Sequence, residues 1–453
     1  MRDNDLSFQG HAKALAKLAW PLIGSQVAQF AIGLTDAVML GWYDLEAFAA
    51  QVLGGSFFFI VLILGSGFAF GLSPLVASAA AQDDQTQIRR TTRMSFWLVT
   101  IYAVVTIPLL MISEPILLAA GQDPVLSGAA DEYLRIMGWS ILPALFVMVL
   151  RSYLSSLEQA GIILYMTLAS LILNAGINYL LIFGSFGFPE MGLKGAAIAS
   201  LSVHTFSFIV LILYALHKNR HHSLLQRFWR PDWEAFAEVF RVGWPIGVTV
   251  LAEVGLFTAA SVMVGWVGVV ELGAHGITLQ LASLAFMFHL GLSHAVTVRS
   301  GQAYGRNDQV GLRRGAAVAI LMSFGFAVIA CVLFFAIPET LLKAFISPDE
   351  PNLEAVLLKG TTLLYIAAGF QLADAMQVIG VGLLRGLHDT KVPMYFATFS
   401  YWVIGVPTGY IFGFTLNWGA EGVWMGLVTG LIAAAFLMIG RFLILVRRPQ
   451  AAT

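Results

Sequence analysis

The run from Leu363 to Arg385, LLYIAAGFQLADAMQVIGVGLLR, contains one charged side chain, Asp374, before Arg385 ends it. A helix of about 20 apolar residues is long enough to cross the hydrocarbon core of a bilayer. Runs of this kind recur along all 453 residues, of which 58% are hydrophobic and only 11% are charged. Soluble proteins carry about 25% charged residues. The sequence therefore predicts an all-α polytopic membrane protein.

Twelve membrane spans are predicted from the positions of these runs. With this arrangement, 21 of the 25 Lys and Arg residues fall on the side of the N-terminus, and four fall on the other side. Because cytoplasmic loops are enriched in Lys and Arg, we expect both termini in the cytoplasm and the chain in the inner (plasma) membrane. The spans are predicted near residues 18–41, 48–78, 94–119, 131–154, 161–183, 193–216, 242–267, 272–298, 315–338, 358–384, 393–414 and 421–446.

The chain repeats its own pattern 224 residues later, which indicates a duplicated six-span unit. Since six is even, both copies enter the membrane from the same side and are expected to be related by an axis along the membrane normal. The predicted parts are an N-terminal lobe (1–217), a basic, solvated cytoplasmic linker (218–240) and a C-terminal lobe (241–453). The matching pairs are Trp20-Pro21 with Trp244-Pro245, Met39-x-Gly41-Trp42 with Met263-x-Gly265-Trp266, and Arg89-Arg90 with Arg313-Arg314.

Asp36, Glu253 and Asp374 are carboxylates that lie inside the long apolar stretches of the predicted spans. A charge at the bilayer centre costs at least ~2.5 kcal/mol, so such a residue indicates an ion or substrate site. A helix-packing hydrogen bond or a snorkelling side chain is the alternative. Counted at ~1.5 Å per residue from the nearest cytoplasmic charge, Glu253 lies about 18 Å deep and Asp374 about 16 Å deep. We therefore expect these two to share one level in the C-terminal lobe.

Asp36 stands apart from this pair, about 28 Å from the nearest cytoplasmic charge. Asn174 and Asn178 are spaced to share one face of the fifth span, and Ser200 lies at about 27 Å in the sixth. The sequence predicts that this carboxylate, two amides and a hydroxyl converge in the N-terminal lobe. Such a cluster suits a proton relay or a hard cation such as Na⁺. For the asparagines alone, hydrogen bonding between helices fits equally well.

A secondary transporter fits these features better than an enzyme or an ATP-driven pump. The chain has no Gly-Lys pair and hence no phosphate-binding loop of the Walker type, and it has neither His-Glu-x-x-His nor Gly-x-Ser-x-Gly. A flippase for lipid-linked intermediates remains the alternative, although its site would need deep cations for pyrophosphate. We expect a monomer in the lipid bilayer, energised by an ion gradient, with no cofactor and no nucleic-acid partner.

Several segments resemble multidrug and toxic compound extrusion (MATE) transporters of the NorM-like branch. The resemblance covers nearly the whole chain. It implies a twelve-helix antiporter that exports amphipathic cationic drugs and dyes in exchange for Na⁺ or H⁺ by alternating access. The segments that carry it are Phe370-Gln-Leu-Ala-Asp374 with its continuation to Arg385-Gly-Leu-His-Asp-Thr390, Glu253-Val-Gly-Leu-Phe257, Thr35-Asp36, Asn174-Ala-Gly-Ile-Asn178 and Phe186-Gly-Phe-Pro-Glu190.

The same resemblance implies roles for the intramembrane polar residues. Glu253 and Asp374 would form the cation site, as ligands of Na⁺ if Na⁺ is the coupling ion, and Asp36, Asn174, Asn178 and Ser200 would form the polar cluster of the N-terminal lobe. Aromatic side chains are candidates for a permissive drug surface through cation–π contact. Those considered are Trp20, Phe57, Trp244, Phe286 and Tyr401.

The sequence departs from the family pattern at three of these positions. Phe370 stands where sodium-coupled relatives can carry Tyr, which removes one oxygen that could bind a cation. Asn178 stands where some relatives carry an acid, and Ser200 where Thr is common. The choice between Na⁺ and H⁺ is therefore left open by the sequence.

Overall fold

The computed structural model describes residues 7–346 and 351–447, and within these ranges the ordered elements are all helical. The two chain ends, whose cytoplasmic placement is predicted, lie outside the described residues. The helices of the first half are α1 (Phe8–Tyr43), α2 (Leu45–Ala81), α3 (Gln85–Met111), α4 (Ser113–Ala119), α5 (Pro124–Met137), α6 (Ile141–Ser156), α7 (Ala160–Ile182) and α8 (Gly192–Lys218).

The second half repeats this succession of helices. Its second and third helices begin 224 residues after α2 and α3, as the sequence repeat requires. The helices are α9 (Trp233–Val267), α10 (Val269–Gly305), α11 (Gln309–Ala336), α12 (Pro338–Lys343), α13 (Leu353–Gly386), α14 (Lys391–Thr398), α15 (Val406–Tyr410) and α16 (Gly419–Arg447).

Equivalent N-terminal caps begin α3 in the first repeat and α11 in the second. Asp84 accepts a hydrogen bond from the backbone N–H of Gln87 (2.9 Å) at the start of α3. Asp308 accepts one from the N–H of Gly311 (2.8 Å) at the start of α11, 224 residues later. A carboxylate at this position satisfies a backbone donor that the first helical turn leaves free. Each cap therefore begins a helix directly after a short turn.

Eleven of the described helical segments are long and apolar enough to cross a membrane, including the combined segment Pro124–Ser156. Their outer faces are apolar, as lipid contact requires: Val105, Ile172 and Phe436 are 69%, 75% and 77% exposed. The fold class predicted from composition, an all-α polytopic membrane protein in two repeats, is confirmed.

The span predicted near 393–414 is helical but interrupted. After α14 the chain forms a π-helix over Phe399–Gly405, continues as α15, and forms a second π-helical stretch over Ile411–Thr415. Pro407 has no N–H, so it cannot donate the hydrogen bond that a regular α-helix would place there. Wider π-helical turns commonly accommodate such irregularities, often at functional sites.

Glycines on this interrupted span pack directly against α16. A Cβ built on Gly426 would overlap the backbone of Gly409, and one built on Gly430 would lie 3.0 Å from the Cα of Gly405. Small residues permit this close approach of helix backbones, which is how membrane helices gain packing contacts in lipid.

The chain forms two compact units, Gly24–Gly247 on the one hand and Met1–Ile23 with Val248–Thr453 on the other. The divisions fall within α1 and α9, a few residues after Pro21 and Pro245. Both divisions therefore lie at equivalent points of the repeat.

The linker was predicted to be solvated, and most of residues 218–240 are exposed or half-buried, but a few of its side chains are buried. His222 is 4% exposed and its Nδ1 lies 2.6 Å from the hydroxyl of Tyr153. Asn219 is also buried. Burial, with His221 nearby, lowers the pKa of His222 to about 4. The polar sequence of the linker does not predict this packing, because the residues that contact His222 lie on helices remote in the sequence.

A second anchor of the linker is an ion pair at its C-terminal end. Arg90 binds both carboxylate oxygens of Asp232, with Nε–Oδ2 and Nη2–Oδ1 distances of 2.6 and 3.1 Å. The guanidinium of Arg90 holds the pKa of Asp232 below its usual value. Bidentate pairs of this type fix orientation as well as adding energy.

Candidate ion-coupling sites

The structure brings together all four residues predicted for the N-terminal polar cluster. Asp36 Oδ1 accepts hydrogen bonds from the side-chain amides of Asn174 (2.9 Å) and Asn178 (2.5 Å). The hydroxyl of Ser200 lies 3.4 Å from Asp36 Oδ2. Asn178 Nδ2 also lies 3.3 Å from Asn174 Oδ1. The one-turn spacing of the asparagines on α7 places both amides on the face that meets α1.

The cluster holds its carboxylate through neutral donors rather than through a cation. Asn174 and Asn178 are both fully buried. Asn178 Oδ1 is also buried and has no hydrogen-bond partner within the described residues. Buried polar atoms normally have partners. The cluster therefore retains an unused acceptor beside its carboxylate.

Sequence reasoning missed one neighbour of this cluster, Tyr133 on α5. Its side chain is 4% exposed, hydrogen-bonds to Gln51 and interacts electrostatically with Asp36. Nothing in the sequence distinguishes Tyr133 from a tyrosine that faces lipid, because its neighbours along the helix do not identify the buried face.

The second predicted pair, Glu253 and Asp374, also comes together. The two carboxyl groups interact electrostatically, and Asp374 is only 1% exposed. Glu253 Oε1 and Asp374 Oδ1 are both buried, and within the described ranges neither has a hydrogen-bond partner. A buried carboxylate oxygen without a donor is costly unless a proton or a cation binds it.

Neighbouring contacts explain why these two helices meet at this level. Phe257 lies one turn after Glu253 on α9, and Phe370 lies one turn before Asp374 on α13. Their rings pack edge to face with centroids 5.9 Å apart. This aromatic contact joins α9 and α13 one turn away from each carboxylate.

Arg385 belongs to the same group of charges, although its place in the sequence predicts only a cation at the cytoplasmic end of the span. It lies in the last turn of α13, is partly buried, and interacts electrostatically with Glu253. Tyr401 interacts electrostatically with Glu253, Asp374 and Arg385. Glu253, Asp374, Arg385 and Tyr401 are called the C-terminal charge cluster below.

This cluster is not a conventional metal centre. Among the described residues, no three His, Cys, Asp or Glu side chains converge in a way that could hold a metal ion. A cation bound by the two carboxylates would therefore need its other oxygens from hydroxyl groups, amides, backbone carbonyls or water.

Comparison with known proteins assigns the chain to a family. The MatE family model matches residues 21–180 and again 245–411, once in each repeat. The chain belongs to the MatE family. It is 47% identical over 454 residues to "Probable multidrug resistance protein NorM" of Rhizobium meliloti, covering 100% of this chain and 97% of that relative. It is 35% identical over 439 residues to "Multidrug resistance protein NorM" of Burkholderia vietnamiensis, covering 96% and 94%.

Solved structures agree with the MatE fold. A MATE protein crystallised in complex with MaL6 superposes with a TM-score of 0.88 at 20% identity, covering 96% of both chains. A eukaryotic MATE transporter superposes with a TM-score of 0.84 at 18% identity, covering 98% of this chain and 97% of the other. The predicted family is thus confirmed, and the chain is a multi-pass membrane transporter and not an enzyme.

Proposed function

We propose that this MatE protein is a secondary active multidrug antiporter, which exports amphipathic organic cations in exchange for Na⁺ or H⁺. The observation that carries the proposal is the pair Glu253 and Asp374, whose buried oxygens Oε1 and Oδ1 have no hydrogen-bond partner among the described residues. A site of this kind binds a cation or a proton. The names of the full-length NorM relatives support drugs as the exported cargo.

The exchange follows from electrostatics. When the pair carries negative charge it attracts a cationic drug, and when Na⁺ or H⁺ binds, this attraction is lost. Drug and coupling ion therefore favour opposite states of the same acids, which is the requirement for antiport by alternating access. Movement of one charge through ~100 mV supplies about 2.3 kcal/mol.

The proposal includes the setting of the protein as well as its cargo. It acts as a monomer in the inner membrane with both termini in the cytoplasm, uses no cofactor and binds no nucleic acid. The lobes of the transport cycle correspond to residues 1–217 and 241–453, joined by the linker 218–240. Asp36, Asn174, Asn178 and Ser200 serve as a second polar site in the N-terminal lobe.

A flippase for lipid-linked intermediates is less well supported by the contacts. It would need deep cations that are free to hold pyrophosphate. Arg385 interacts with Glu253. Arg151 donates through Nη2 to Ser25 Oγ (3.1 Å) and Gln26 Oε1 (2.8 Å). Both guanidinium groups are thus engaged by the protein itself.

Ethidium transport in proteoliposomes under imposed Na⁺ or pH gradients tests the proposal. We expect Glu253→Gln and Asp374→Asn to lower gradient-driven transport at least tenfold, because each removes an ionisable oxygen from the pair. Glu339→Gln is the matched control, since this carboxylate is 66% exposed. Transport at the wild-type rate by either pair variant would show that the pair does not couple the ion.

A further inference from the structure

Tyr401 is a buried tyrosine with an unused hydroxyl. It lies in the π-helical stretch Phe399–Gly405, its side chain is fully buried, and its hydroxyl has no hydrogen-bond partner in the part of the chain that the structure describes. Buried tyrosine hydroxyls usually find a partner. An unpartnered one therefore needs an explanation.

The adjoining residue, Trp402, holds this stretch against α9 at the level of the carboxylate pair. The indole Nε1 of Trp402 donates to the carbonyl of Ala252 (3.3 Å), the residue directly before Glu253. Gly255 leaves room for the indole, because a Cβ there would lie 2.7 Å from the Trp402 ring. These contacts hold the stretch that carries Tyr401 against the turn of α9 that carries Glu253, and Tyr401 interacts electrostatically with Glu253 and Asp374.

Three helical segments of the C-terminal charge cluster thus each carry one buried oxygen without a described partner: Glu253 Oε1, Asp374 Oδ1 and the Tyr401 hydroxyl. A proton needs one carboxylate oxygen, whereas a hard cation needs several oxygens at once. Resting on the function proposed above, we propose that the Tyr401 hydroxyl is a third protein ligand of the coupling cation and makes this a Na⁺ site.

The neighbouring aromatic side chain cannot supply this oxygen. Phe370 is 2% exposed and packs edge to face against Trp424, with ring centroids 5.7 Å apart, as well as against Phe257. It carries no hydroxyl. Tyr401 is therefore the aromatic residue that brings an oxygen to this pair.

The charges around the hydroxyl also suit a single monovalent cation. With both acids ionised, Glu253 and Asp374 carry two negative charges, and Arg385, which interacts electrostatically with Glu253, carries one positive charge. One Na⁺ neutralises what remains.

The experiment compares Tyr401→Phe with the wild-type full-length chain in proteoliposomes. The readout is the Na⁺ concentration that gives half-maximal ethidium transport at fixed pH. We expect Tyr401→Phe to raise it about tenfold, which corresponds to about 1.4 kcal/mol of binding free energy. Transport driven by a pH gradient without Na⁺ should stay within twofold of wild type, because proton binding does not need the hydroxyl. Calorimetric titration with NaCl, against choline chloride, measures the same loss directly.

Tyr410→Phe is the matched control, because this tyrosine lies on the same interrupted span and is 51% exposed. A Na⁺ requirement within twofold of wild type in Tyr401→Phe would overturn the proposal. So would an equal loss of Na⁺-driven and H⁺-driven transport, or a wild-type protein that Na⁺ does not stimulate. The proposed function is tested separately: if Glu253→Gln also transports normally, the carboxylate pair itself is not the coupling site.

Discussion

Replacing Asp36 by Asn separates the two interpretations of the N-terminal polar cluster, ion coupling and helix packing. An Asn at position 36 can direct its Oδ1 to the amides of Asn174 and Asn178, which donate to Asp36 Oδ1 at 2.9 and 2.5 Å. Its own Nδ2 then faces the hydroxyl of Ser200, 3.4 Å from Asp36 Oδ2, and a hydroxyl can accept as well as donate. The substitution therefore removes the charge and preserves the hydrogen bonds.

The expected stability change follows from this donor and acceptor count. Hydrogen bonds to charged groups contribute about 1.5–3 kcal/mol and neutral ones about 0.5–1.5 kcal/mol. The loss for two bonds is offset because no charge needs to be desolvated, so we expect a net change within ~1 kcal/mol for Asp36→Asn. Asp36→Ala instead leaves the buried Asn174 amide without an acceptor and creates a cavity. We expect it to cost about 2–4 kcal/mol.

The assay measures thermal unfolding in detergent together with ethidium transport under a Na⁺ or pH gradient. If Asp36 couples transport, Asp36→Asn unfolds near the wild-type temperature but transports at least tenfold more slowly. Asp36→Ala should unfold roughly 2–4 °C lower, at ~1 °C per kcal/mol for 453 residues. Wild-type transport by Asp36→Asn would refute the coupling role and leave only the packing role.

Two further predictions concern helix packing and the linker. Gly426→Ala should destabilise the protein by about 1–3 kcal/mol, because its Cβ would overlap the backbone of Gly409. Gly440→Ala is the control: nothing lies within 4 Å of its Cβ, so the stability should be equal to that of the wild type or higher. Equal unfolding temperatures for the two variants would contradict the predicted overlap at Gly426. His222, whose pKa is lowered to about 4 from 6.5, takes up a proton more readily when unfolded, so its contribution to stability is complete above about pH 6.5 and falls between pH 6.5 and 4. His222→Gln should weaken that pH dependence in thermal unfolding, and an unchanged slope would exclude His222 as its source.

The predictions that succeeded depend on local patterns. The spans follow from uninterrupted apolar runs, and the duplication follows from matching residue pairs that lie 224 positions apart. The contact of Asp36 with Asn174 and Asn178 could be predicted because intramembrane polar residues are rare. Their depth and helical spacing leave few alternative neighbours. The contacts of His222 and Asp232 in the linker were not predicted, since their partners Tyr153 and Arg90 lie on helices remote in the sequence.

By itself the sequence determined the membrane fold and the duplication, because hydrophobicity and repeated residues are read along one chain. Only the tertiary structure decided which side of each helix faces the protein interior. Tyr395, Tyr401 and Tyr410 lie on one interrupted span and are 56%, 0% and 51% exposed. In lipid, the buried and outer faces of a helix are both apolar, so hydrophobic pattern cannot separate them. Arg385 and Tyr401 therefore became members of the C-terminal charge cluster only when the helices were packed.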